Sequence, residues 1–160
     1  MIKLFTCLLV IAFAAAVQPA SAQDSGNPSK AISDAIKTLN GSWEWKESRF
    51  ASRGVKPSVK NPESTGQHVV VTFKPDNTVL VFRNKELLGT YLFTLTKPQD
   101  EYLKIAFSAD KNGKVPEYLQ EGPLSFSGNE LTIAGGYNDA GENVTFRKIT
   151  AVKQKPAPKK

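Results

Sequence analysis

The chain has 160 residues, a formal charge of +6, one cysteine and one histidine. That length allows one hydrophobic core of ordinary size, hence one domain. A lone cysteine excludes a disulfide scaffold, and a lone histidine excludes a multi-histidine metal centre.

Lys3 precedes an apolar run over residues 4–17, and Ala20-Ser21-Ala22 follows it. The run is shorter than the ~20 residues a membrane-spanning helix needs. Residues 1–22 therefore read as a secretory signal peptide cleaved after Ala22, which places the mature chain in the periplasm or outside the cell. Cys7 lies inside this signal, preceded by Thr6 where a lipid-attachment motif needs a small residue, so the mature chain is expected to carry no thiol, no lipid and no transmembrane span. Residues 23–38 read as a polar leader and a short helix. Ala31, Ile32, Ala35, Ile36 and Leu39 fall at helical spacing, with Asn27 or Ser29 to cap it and Asn40-Gly41 to end it.

Residues 39–151 change to a period of two. Strands are expected over 42–50, 67–74, 78–84, 89–97, 101–108, 123–127, 130–135 and 143–149. Pro75-Asp76-Asn77, Pro98-Gln99-Asp100, Gly128-Asn129 and Asn138-Asp139-Ala140-Gly141 supply the turns. Short connections make neighbours antiparallel. The expected fold is all-β: an antiparallel up-and-down eight-stranded β-barrel with a short N-terminal helix. An open sheet or two-sheet sandwich is the competing reading. The stretch 51–66, with two prolines and no strand pattern, reads as a loop beside the barrel mouth, and 109–122 as a second long connection.

Gly41-Ser42-Trp43 opens the first strand and Arg147 lies in the last. In a closed sheet these strands are neighbours, so the guanidinium can cover the indole, a contact worth about 0.5–2 kcal/mol. Gly41, Trp43 and Arg147 are thus the expected structural residues. With Trp43 inside, alternation sends Trp45 and Glu47 inward, together with Val69, Val71, Phe73, Tyr91, Phe93, Leu95, Leu103, Ile105 and Phe107. Trp45, Glu47, Tyr91, Phe93 and Phe107 are the candidate ligand-binding residues. An eight-stranded interior either holds one small ligand or is filled by its own side chains, and both readings stand. Residues 78–84 are apolar on both faces, Val79 and Val81 on one and Leu80 and Phe82 on the other. An apolar outer row there marks an interface or a loop contact.

Chemistry is sparse. His68 has no second histidine or thiol beside it, no Gly-x-Ser-x-Gly elbow occurs, and Asp110-Lys111-Asn112-Gly113 lacks the carboxylate spacing of a calcium loop. The carboxylate pairs Glu44/Glu47 and Asp100/Glu101 are close only in sequence. The chain reads as non-enzymatic and without cofactor. Residues 152–160 read as a basic disordered tail. Its lysines alternate with Pro156 and Pro158 and carry no aromatic residue, so no specific nucleic-acid partner is expected.

The helix before Gly41-Ser42-Trp43, "VTFKPDNTV" at 71–79, "GTY" at 89–91 and "VTFRK" at 144–148 resemble the small lipocalin-like (calycin-type) barrels of Bacteroidetes-type bacteria. The resemblance implies an exported eight-stranded barrel that binds a small hydrophobic or amphipathic molecule. The alternative is a filled barrel acting as a secreted inhibitor or an envelope-associated interaction module. Avidin-like barrels also begin with Gly-x-Trp, but here both tryptophans, Trp43 and Trp45, lie on the first strand, which argues against biotin.

Overall fold

The structure, a computed structural model, describes residues 28–98, 102–109, 114–138 and 140–149. The expected signal peptide with Cys7, the start of the expected leader, the Asp100/Glu101 pair, residues 110–113 and the expected basic tail lie outside the described residues. Among the described residues no helix is long and apolar enough to cross a membrane.

Helix α1 (Pro28–Leu39) leads into β1 (Gly41–Ser52), β2 (Val55–Lys60), the single-turn α2 (Pro62–Thr65), β3 (Val69–Phe73), β4 (Thr78–Arg83), β5 (Glu86–Thr96), β6 (Lys104–Ala109), β7 (Gly122–Ser127), β8 (Glu130–Asn138) and β9 (Ala140–Lys148). Every pairing is antiparallel, and β1 pairs with both β3 and β9. The eight strands β1 and β3–β9 therefore close into an up-and-down barrel. Closure leaves these strands without a free edge, which an open sheet of this composition would expose. The narrowest seam is β6–β7, where only Lys104↔Pro123 and Ile105↔Gly122 pair.

The stretch expected to be a plain loop is instead a return strand and a helical turn. β2 folds back on the far half of β1, pairing Ser48↔Lys60 through Ser52↔Val55, and all six of its residues are exposed. Asn61 then caps α2: its side chain accepts the Ser64 N–H at 2.8 Å while the Ser64 hydroxyl accepts the Asn61 N–H at 3.0 Å.

The helix seals one end of the barrel. Ala35 and Leu39 are buried on its inward face. The Trp43 indole N–H donates to the Leu39 carbonyl at 2.7 Å, and the Lys148 ammonium donates to the Thr38 carbonyl at 2.7 Å. Both are last-turn carbonyls with no partner inside the helix, at the negative end of its dipole. Gly41, at φ 118°, provides the turn from helix to strand in a region that L side chains rarely enter.

The cation on Trp43 is not the expected one. Lys148 Nζ lies 4.9 Å from the indole centroid, and Arg147 is exposed on the outer wall. Parity explains the correction. Val144 and Phe146 are buried, so Lys148 shares their face while Arg147 shares that of Thr145.

Candidate functional site

The interior is one continuous cluster running from Leu39 and Trp43 through Val69, Val71, Val79 and Val81 to Leu131, Ile133, Val144 and Phe146. The candidate ligand-binding residues divide within it. Phe93 and Phe107 both face Phe73, at centroid distances of 5.3 Å for Phe73–Phe93 and 6.4 Å for Phe73–Phe107. The Phe93 N–H donates to Asn77, in the turn at the helix-covered end. Trp45 lies apart, edge-on to Tyr118 at 5.3 Å. Tyr91 folds back over Gly89, where a Cβ would come within 2.7 Å of its hydroxyl. Phe93 and Phe107 thus pack on Phe73 and Trp45 on Tyr118, while Tyr91 packs over Gly89.

Glu47 is turned away from the interior. The β1–β9 register shifts between Trp45 and Glu47, so Lys46 is an extra residue on β1. A bulge of this kind reverses the face of everything after it. Ser48 therefore points inward, 5% exposed, and its hydroxyl accepts the Trp45 indole N–H at 3.1 Å. Glu47 meets Arg49 at 3.5 Å on the outside.

The mouth is covered by the segment before β7. Tyr118 and Leu119 are each 4% exposed. The Tyr118 hydroxyl donates to the Gln67 side chain, and Glu117 meets Lys60 at 3.6 Å. Burial, then the neighbouring Glu117 carboxylate, pushes the Tyr118 phenol up from its usual value, so it stays a neutral donor. A cleft of about 190 Å³ remains here, lined by Trp45, Ser48, Gln67 and Tyr118 among others. That is below the roughly 300–1,000 Å³ of ordinary small-molecule sites.

Two larger concavities lie on the outer wall. One, about 390 Å³, runs between β1 and α2 and holds Glu44, Lys46, Glu47, Asn61, Glu63 and Arg147. Its charges are largely paired: Lys46 with Glu130 at 2.6 Å, Glu44 with His68 at 2.5 Å, and Glu47 with Arg49. The Lys46 hydrogen bond and charge hold the Glu130 carboxyl below its usual range. Among the described residues no cluster of His, Cys, Asp and Glu is placed to hold a metal ion.

The other, about 740 Å³, is apolar and lined by His68, Val70, Phe82, Asn84 and Lys85. The register explains it. Val70↔Phe82 and Phe82↔Leu87 stand directly opposite one another across β3, β4 and β5, a row about 10 Å wide at the usual strand spacing. Leu80 continues the row along β4, and Leu87 and Leu92 on β5 are 55% and 50% exposed. This is the outer apolar row legible in the sequence at Leu80 and Phe82. Sequence reasoning missed the residues that close its end. The Asn84 side chain accepts the His68 N–H at 2.8 Å, and the Asn84 N–H donates to the His68 carbonyl at 2.8 Å, so the β4–β5 turn is pinned to the start of β3.

Compared with known protein families, curated proteins and solved structures, the chain matches none, so the closed eight-stranded antiparallel barrel is established by its geometry and the lipocalin likeness rests on sequence motifs alone.

Proposed function

We propose that this chain is an exported, non-enzymatic barrel that binds a small hydrophobic or amphipathic molecule on the outer wall of β3–β5. The observation that carries this reading is the contrast between inside and outside. Inside the barrel Phe73 packs against Phe93 and Phe107, and Trp45 against Tyr118, while a large apolar concavity faces solvent across Val70 and Phe82. Exposed apolar rows on a sheet cost solubility and mark binding surfaces. Its volume falls in the small-molecule range. Native mass spectrometry of the chain purified from its own host tests the reading. A small-molecule adduct that disappears in Phe82→Asn supports it. An adduct retained in Phe82→Asn and lost in Tyr118→Ala moves the ligand to the mouth and overturns it.

A protein-interaction module is the second reading, favoured by β2. Among the described residues that strand pairs with β1 alone, and Val55 and Val59 on it are 58% and 41% exposed. Its other edge is open to a partner strand, although Pro57 removes one N–H from β2. Cross-linking that captures a protein through β2, with no small-molecule adduct, favours this second reading.

A further inference from the structure

We propose that the outer-wall groove selects a single-chain amphiphile with one negative charge, its head held by Lys85 and its chain lying over Phe82, Val70 and Leu87. The inference rests on the outer-wall reading and adds the chemistry of the headgroup.

The groove has a polar end and an apolar floor. Lys85 lines its end, is exposed, and among the described residues has neither an ion pair nor a side-chain hydrogen bond. The other basic side chains near this end are engaged. His68 lies against Glu44 at 2.5 Å, and Arg83 lies close enough to the Tyr118 phenol at the mouth for its charge to act on it. Lys85 is thus the charge left for an arriving anion. A single free ammonium suits a monoanion. It offers neither the fork of an arginine nor the paired cations that favour a phosphate diester or monoester.

The backbone gives an independent reason to look at Lys85. The β4–β5 turn places Asn84 at φ 52° and Lys85 at φ 73°. Two successive left-handed residues define the tight hairpin turn that Asn-Gly satisfies without strain. Lysine in the second position carries a steric penalty that glycine would avoid. Asn84 is explained by its two hydrogen bonds to His68. Among the described residues no contact of the turn itself uses the Lys85 side chain, which leaves its ammonium free at the end of the groove.

The concavity argues for one chain and against a flat bilayer. Val70 and Phe82 are only half-buried at its floor, and the exposed Leu87 extends the row on β5. A single alkyl chain can lie in such a trough. A membrane surface would engage the projecting leucines and leave the trough unfilled.

The test is calorimetric titration of the full chain with decanoate, decanol and decyltrimethylammonium, each below its micellar concentration. Four proteins are compared: wild type, Lys85→Glu, Lys85→Gly and Leu87→Asn. Lys85→Gly relieves the turn and keeps the fold if charge reversal proves disruptive. Wild type should take decanoate in preference to the cation. Lys85→Glu should weaken decanoate about tenfold and Lys85→Gly about three- to fivefold, the scale of an exposed ion pair. Both should leave decanol within about twofold of wild type, as expected when only the charge contact changes. Leu87→Asn should weaken all bound probes. If decanoate and decanol bind equally and ignore Lys85 but need Leu87, the headgroup inference is overturned and the outer-wall reading stands. If Leu87→Asn changes nothing, or no probe binds, both are overturned.

Discussion

Replacing Lys148 by methionine should destabilise the barrel, while the same change at Arg147 should not. Lys148 makes two contacts at once: its ammonium lies 4.9 Å from the Trp43 ring centroid and donates at 2.7 Å to the Thr38 carbonyl. An exposed cation–π contact is worth about 0.5–1 kcal/mol, and a cation at a helix C-terminus about 0.3–1 kcal/mol. Methionine keeps much of the apolar stem, so packing is largely preserved. The sum gives a loss of about 1–2 kcal/mol, not strictly additive because one ammonium makes both contacts. Arg147 is exposed on the outer wall beside Glu130, and surface changes of this kind stay within about 0.5 kcal/mol. With a urea slope of about 1–2 kcal/mol per molar for a domain of this size, Lys148→Met should lower the unfolding midpoint by about 1 M. Equal midpoints for the two variants, or a larger drop for Arg147→Met, would refute the assignment of Lys148 as the cation that joins α1, β1 and β9.

Gly89→Ala should displace the Tyr91 ring, which a Cβ would meet at 2.7–3.2 Å, and cost about 1–3 kcal/mol. Combining it with Tyr91→Leu should recover part of that loss in a double-mutant cycle. In a Trp43→Phe background, Tyr118→Ala should shift Trp45 emission to longer wavelength and lower stability by about 3 kcal/mol, because it uncovers the indole at the mouth; an unchanged spectrum would remove Tyr118 from the plug. The Tyr118 phenol titrates above its ordinary 10.0 in the folded chain. An acid that holds its proton more tightly when folded supports stability fully below the unfolded value and loses that support as pH rises past it. Alkaline unfolding should therefore be blunted in Tyr118→Phe. Asp76 is the opposite case: hydrogen bonds from the Thr78 side chain and N–H hold its carboxyl below 3.8. Its contribution is present above the unfolded value and fades as pH falls through the folded one, so melting curves of Asp76→Asn should lose less between pH 6 and pH 2 than wild type.

Most of the barrel was legible because its strands bury one face only. Val69-Val70-Val71-Thr72-Phe73 alternates buried and half-buried as a period of two requires, and Asn77 at φ 62° takes the left-handed position that the Pro75-Asp76-Asn77 signal announces. β2 was illegible for the converse reason. Val55-Lys56-Pro57-Ser58-Val59-Lys60 is exposed on both faces, so no burial pattern marks it, and its proline argued against a strand. Glu47 depended on a strand remaining regular. One extra residue at Lys46 reversed its face, and nothing in Glu44-Trp45-Lys46-Glu47 announces a bulge. The first-strand and last-strand motif points to Arg147, whereas alternation from the buried Val144 and Phe146 points to Lys148. At the outer groove, Leu80 and Phe82 gave the apolar row, but the turn at Asn84-Lys85 lacks the glycine that usually signals one. Tyr118 was visible only as a residue in a long connection. Its contact with Trp45 spans residues far apart in sequence and comes from tertiary packing.

The proposed ligand site lies on the outside of the barrel, and backbone amide NMR shifts on titration with decanoate locate it. The perturbed amides should cluster at His68, Val70, Phe82, Lys85 and Leu87, with Trp45, Phe93 and Phe107 unmoved. Perturbations centred on Trp45, Phe93 and Phe107, with the outer wall silent, would contradict it.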